Sequence, residues 1–223
     1  MGNQTIGQLL QEIYHRMMAC YGPQRWWPAE GPFEVMVGAV LTQAVAWLNV
    51  EKAIASLKEA KALSPQALRC LGFPELATLI RPCIYYNVKA RKLKSLAHWL
   101  GECYQDNLDR LFAGSTARLR EQLLAVWGIG EETADSIILY AANEPVFVID
   151  AYTRRIISRV GLKPDNDSYS THQSLFMENL PSDVKIFNEY HALLVCLGKD
   201  VCRSHPLCQQ CCLLGICSYG VTG

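Results

Sequence analysis

The residues that most constrain this chain are Trp127-Gly128-Ile129-Gly130, because they separate two helical patterns and leave no room for a longer connection. Upstream, Thr116 to Val126 carries apolar residues at helical spacing. Downstream, Glu131, Glu132 and Thr133 open a second helix in which Ala134, Ile137, Ile138 and Ala141 bury one face. The two glycines permit a tight turn that residues with a Cβ would resist. Backbone N–H groups without helical partners at such a turn can hold a phosphate without reading base sequence. A lone Gly-Ile-Gly is equally at home in an ordinary helical hairpin, so the residues that follow it matter. An apolar run, Val146 to Ile149, leads to Asp150, eighteen residues beyond Glu132 and just before the helical pattern Ala151 to Val160.

The rest of the chain reads as helices and short connections. Thr5 to Ala19 is an amphipathic helix that ends before Gly22-Pro23. Residues 23–32 are proline-rich and irregular, and carry Trp26 and Trp27, which either cap the core or form a flat aromatic wall. Phe33 to Leu41 is strongly apolar and helical, and a second helix continues through about Lys58, with Trp47 four residues after Gln43 and hence on its helix face. Ser64-Pro65 and Phe73-Pro74 start short helices through Leu71 and Arg81. Further helices run to about Cys103, over Leu108 to Phe112, and, after a polar turn at 163–168, near Thr171 to Leu180 and Asp183 to Leu197. Only Val146 to Ile149 reads as extended, so the expected fold class is all-α.

With 21 basic and 21 acidic residues the formal charge is zero, so any nucleic-acid surface must come from segregated charge. Lys89, Arg91, Lys92 and Lys94 form one candidate cluster; Arg154, Arg155 and Arg159 form another. Either could equally be a solvated helix face. No run approaches the roughly 20 apolar residues of a membrane span, and the N-terminus lacks a secretory pattern, so a cytoplasmic protein is expected.

Six of the ten cysteines crowd into residues 196–217. Cys202-x5-Cys208-x2-Cys211-x5-Cys217 offers four thiolates in a loop too short for a hydrophobic core, so a metal centre would have to order it, either an iron–sulfur cluster or zinc on four cysteines.

Several of these phrases together resemble the endonuclease III superfamily of DNA glycosylases: Leu41-Thr42-Gln43 with Trp47 and Asn49 to Ala53, Tyr86-Asn87 with Lys89-Ala90, Gly128-Ile129-Gly130, and Asp150. The resemblance covers most of the chain. It implies two lobes, a central helical domain at 24–144 and a second domain from 1–23 with 145–223, with Asp150 facing the cleft between them. It also implies that Gly128, Ile129, Gly130 and Thr133 hold the DNA backbone, that Asp150 is the catalytic carboxylate, that Gln43 enters the gap left by an extruded nucleotide, and that Tyr85 touches the opposite strand. A [4Fe–4S] cluster is implied on Cys202, Cys208, Cys211 and Cys217. The first spacing is one residue shorter than the family's, which leaves Cys196 and Cys212 as substitute ligands. Ala44 stands where relatives usually carry Asn.

Glu132 occupies the position of the family's Schiff-base lysine. Without an amine nucleophile the implied enzyme is monofunctional and leaves the abasic site uncut. That loss, with Trp26-Trp27-Pro28, Trp47 and Gly128 to Asp135, is similar to bacterial 3-methyladenine DNA glycosylases of the endonuclease III type. It implies a base pocket of Trp26, Trp27, Trp47 and Glu132. An alkylated purine is cationic and has a weakened glycosidic bond, so stacking and cation–π attraction suit it. The expected protein is a monomeric base excision repair enzyme, associated with a bacterial nucleoid, acting on double-stranded DNA containing a damaged base. The alternatives are a glycosylase for oxidised, deaminated or mismatched bases, and an iron–sulfur DNA-binding module without catalysis.

Overall fold

Every regular element is helical in the computed structural model, which describes residues 5–164 and 166–222; no strand occurs among them. Asp165, within the polar turn expected at 163–168, lies outside the described residues. In chain order the helices are α1 (Ile6–Tyr21), α2 (Pro32–Leu41), α3 (Trp47–Glu59), α4 (Pro65–Cys70), α5 (Phe73–Leu79), α6 (Tyr86–Tyr104), α7 (Leu108–Phe112), α8 (Thr116–Leu124), α9 (Glu131–Tyr140), α10 (Ala151–Val160), α11 (Tyr169–Met177), α12 (Val184–Asp200) and α13 (Ser218–Thr222). They fall into two compact units, residues 27–144, and residues 1–26 with 145–223.

In the unit of residues 27–144, α2 is apolar nearly all round and α9 is buried nearly all round beyond its first turn. Val35 to Leu41 and Thr133 to Leu139 are buried without interruption, which places both helices at the centre, packed on each other. Asp135 is fully buried, and Arg120 of α8 donates to it from Nε at 2.7 Å and from Nη2 at 3.2 Å, clamping α8 to α9. The pair matters mainly because removing either partner would strand a buried charge.

In the other unit, α12 packs against α1 and α10. Thr5 starts α1 with a capping box, accepting from Gln8 N at 3.2 Å while Gln8 Oε1 accepts from Thr5 N at 2.9 Å. The extended run Val146 to Ile149 is buried but joins no sheet. Side chains satisfy part of its backbone: Tyr169 Oη accepts from Ile149 N at 3.2 Å and Gln173 Nε2 donates to Phe147 O at 2.8 Å. Phe147 stacks on Phe176 with centroids 3.9 Å apart. This anchoring delivers Asp150 to the start of α10.

Candidate functional site

The hairpin between α8 and α9 closes through Val126 N to Leu123 O at 3.0 Å and Ile129 N to Val126 O at 3.1 Å. Ile129 is buried and Trp127 is exposed. The two glycines differ in what they supply. Gly128 has φ +89°, and a Cβ there would run into the Lys92 side chain. Gly130, the N-cap of α9, has an ordinary extended backbone, and a Cβ there would meet nothing within 4 Å. No side chain caps α9, so the N–H groups of its first turn have no helical acceptor.

Gln43 lies on a turn between α2 and α3, not on a helix face shared with Trp47 as the four-residue spacing suggested. Helix α2 stops at Leu41 and α3 begins at Trp47, because Ala44 takes a left-handed backbone, φ 54°. The Gln43 amide bonds to the hairpin instead: Nε2 donates to Gly128 O at 3.1 Å and to Thr133 Oγ1 at 2.9 Å, and Oε1 accepts from Lys92 Nζ.

Of the aromatic residues, Trp27 is a hub. Its ring lies 5.2 Å from Trp47, edge to face, and 5.2 Å from Tyr140, and it packs closely over Gly38 of α2. Trp47 Nε1 donates to Glu51 Oε1 at 2.8 Å. Tyr140 was missed in the sequence. The available signal was its spacing, eight residues after Glu132 with Ser136 between, which puts the three on one face of α9. Glu132 is exposed in the first turn of α9. Trp26 is half-buried and falls in the other unit. Tyr85 is exposed with φ 57° at the N-cap of α6, beside exposed Ile84 and Val88.

Neither basic cluster is a free stripe. Lys89 is buried and donates to Leu41 O at 2.8 Å, the C-terminal end of α2. Burial lowers its pKa, and Lys92 adds to this while Cys83 opposes it. Lys94 donates to Arg69 O and Leu71 O at the end of α4. Cations at helix C-termini offset unpaired carbonyls there, a tertiary use that sequence spacing does not reveal. Arg155 donates to Cys202 O at 2.7 Å and Gly198 O at 2.9 Å, Arg159 to Arg203 O at 2.6 Å and Ser204 O at 3.1 Å, and Arg154 to Asp167.

Asp150 caps α10, its Oδ1 accepting from Thr153 N at 2.7 Å. Its other oxygen is 3.6 Å from His191 Nε2 on α12. Burial pushes the carboxyl's pKa up, but His191 and the Thr153 N–H outweigh it, so the pKa lies below the usual carboxylate value. A carboxylate thus held ionised can stabilise positive charge developing on a sugar. His191 was also missed; it reads as one polar residue on a buried helix.

Cys202, Cys208, Cys211 and Cys217 line one cavity with Arg159, Pro206 and Leu214. Arg159 Nη1 donates to Cys202 Sγ at 3.3 Å. Cys212 donates to Cys211, drawing the Cys211 thiol down to about 6 and pushing Cys212 up. Cys196 instead donates to Gln24 Oε1 at 3.0 Å. Among the described residues no three His, Cys, Asp or Glu side chains converge as a single metal ion would require.

Residues 37–182 match the family described as "HhH-GPD superfamily base excision DNA repair protein". The chain belongs to this superfamily. Its similarity to a "Putative DNA repair glycosylase" of Methanocaldococcus jannaschii is 41% identity over 211 residues, 94% of this chain and 96% of the relative. With endonuclease III of Sulfolobus acidocaldarius it shares 28% over 189 residues, 84% and 82% of the two chains. A structure of a trapped endonuclease III–DNA covalent intermediate has the same fold, with TM-score 0.82 at 24% identity over 97% of both chains. An H. pylori 3-methyladenine DNA glycosylase bound to 1,N6-ethenoadenine superposes with TM-score 0.75 at 26% identity, over 87% of this chain and 97% of that one. This HhH-GPD protein is therefore a DNA glycosylase of base excision repair, an N-glycosyl hydrolase whose partner is DNA. No helix among the described residues is long and apolar enough to cross a membrane.

Proposed function

We propose that this glycosylase is monofunctional, acts as a monomer on duplex DNA and excises alkylated purines such as 3-methyladenine. The observation that carries the reading is the residue set at the hairpin and its aromatic neighbours. Glu132 stands where an amine nucleophile would be needed, and Trp27, Trp47 and Tyr140 form a cluster of rings in the same unit. A cationic purine leaves without a strong acid, so its pocket needs flat, electron-rich faces more than proton donors. Glu132, in the same unit, belongs to the proposed pocket.

The first-turn N–H groups of α9, with Gly128, Ile129, Gly130 and Thr133, bind a phosphate. The open side of Gly130 lets a DNA backbone come close. Gln43 and Tyr85 fill the gap left by the extruded nucleotide. Asp150 stabilises the oxocarbenium-like sugar as the N-glycosidic bond breaks, and water takes the place of the departing base. The strand stays intact because no Schiff base forms at Glu132.

Residues 202–217 would hold a [4Fe–4S] cluster through Cys202, Cys208, Cys211 and Cys217. Four thiols lining one cavity are the donor set that such a cluster takes, and zinc on four cysteines is the alternative. The diversion of Cys196 to Gln24 favours this set over that substitute. Such a cluster supplies a structural cross-link.

The test is incubation of the purified protein with methylated duplex DNA and with uracil- and thymine-glycol-containing duplexes, recording free base and strand breaks before and after alkali. Release of 3-methyladenine, with breaks only after alkali, is expected. Release confined to another lesion would overturn the alkylpurine reading, and breaks without alkali would overturn the monofunctional one.

A further inference from the structure

We infer that Lys92 is a positioning residue for Gln43, locking the amide in one orientation on the hairpin before DNA arrives. The inference rests on the reading of Gln43 as the residue that fills the vacated gap. Helix α6 grips the turn between α2 and α3 at two points one helical turn apart: Lys89 Nζ donates to Leu41 O at 2.8 Å, and Lys92 Nζ donates to Gln43 Oε1. The Lys92 stem crosses the hairpin where Gly128 leaves space for it, which explains why a Cβ at 128 would collide with it.

The hydrogen-bond inventory of the amide then becomes specific. Both Nε2 hydrogens are committed, one to Gly128 O at 3.1 Å and one to Thr133 Oγ1 at 2.9 Å. An ammonium, which donates and never accepts, can sit at Oε1 without favouring the flipped amide. Gly128 O, which only accepts, and Lys92 Nζ, which only donates, therefore hold Gln43 from both ends of its amide, and Lys92 pins the Oε1 end that carries the open valence. What remains for DNA is one lone pair of Oε1, an acceptor. A long, flexible glutamine loses much conformational entropy when ordered; fixing it in the free protein removes that loss from the extrusion step.

The same ammonium could serve DNA differently, as a phosphate ligand, and a double-mutant cycle separates the two roles. Lys92→Met keeps the stem over Gly128 and removes the charge. It should lower the single-turnover rate of base release about tenfold, within the range for directly coupled neighbours. The fluorescence rise of a 2-aminopurine placed beside the lesion, which reports extrusion, should slow in parallel. In a Gln43→Ala background Lys92→Met should add nothing, and Lys92→Arg should recover most of the rate. Additive losses, with the salt dependence of binding falling by about one unit, would overturn the inference in favour of a phosphate contact. If Gln43→Ala alone leaves release and extrusion unchanged, the gap-filling reading itself fails, and that result is distinct from additivity. Should Lys92→Met unfold, Lys92→Gln carries the same comparison.

Discussion

The two units place their chemistry on different kinds of groups. In residues 27–144 the candidate site is made mainly of backbone N–H groups, a neutral amide held by Lys92, and aromatic rings with Glu132, all resting on the buried helices α2 and α9. In residues 1–26 with 145–223 it is made of ionisable side chains: Asp150 beside His191, and four thiols in a loop where the short 3-10 turns Cys208–Gln210 and Leu214–Ile216 bury nothing. The first kind of site is stable wherever the core is stable. The second should respond to pH through Asp150 and to redox state through its thiols, so solution conditions are expected to act more strongly on that unit than on the other.

The largest expected effect is from Asp150→Asn, which should reduce single-turnover base release about 10²- to 10³-fold. Duplex affinity, which the proposal assigns to the hairpin, should change by less than threefold, and a parallel loss of affinity would break the contrast. Next is loss of the proposed cluster. Chelation of iron, or Cys208→Ser, should expose residues 202–217 to proteolysis and rapid amide exchange while the amides of α9 keep their protection; equal loosening of both would contradict it.

Gly128→Ala should cost about 1–2 kcal/mol of stability in denaturant unfolding, because its backbone is left-handed. Gly130→Ala should leave stability almost unchanged and weaken duplex binding, since its missing side chain faces open space. A stability loss at both positions would show that the hairpin glycines serve folding alone.

The pH profile sharpens the comparison on the other side. A carboxylate whose folded pKa is depressed contributes stability above its unfolded value of 3.8, and loses it as pH falls through the lower folded value. Asp150 should accordingly set an acid limb of activity below pH 3.8. His191→Asn should move that limb upward, while hairpin mutants leave it in place. The smallest effect is expected from Ala44→Gly, which should stabilise the protein by up to about 1 kcal/mol by relieving a left-handed alanine, seen as a higher unfolding midpoint.

How much was legible in the sequence differs along the same division. The hairpin, the apolar helices and the position of Asp150 at a helix start all follow from local rules of periodicity, capping and glycine geometry. The aromatic site was only partly legible, since Trp27 and Trp47 stood out by type but Tyr140 joins them only when α9 packs beside α2. His191 was invisible for the same reason, lying 41 positions from Asp150 in the chain. The basic clusters stayed open in the sequence, because spacing does not show that Lys89 and Lys94 turn to carbonyls at the ends of other helices.

By itself the sequence determined an all-helical chain, a glycine hairpin ahead of a carboxylate, and the absence of a lysine at position 132, because periodicity and residue type are local properties. Only the tertiary structure decided which partners those residues meet: Gln43 with Gly128, Thr133 and Lys92, Asp150 with His191, and four thiols around one cavity. Hydrogen bonds and charge pairs act over a few ångströms, and that proximity is created by packing helices distant in the chain.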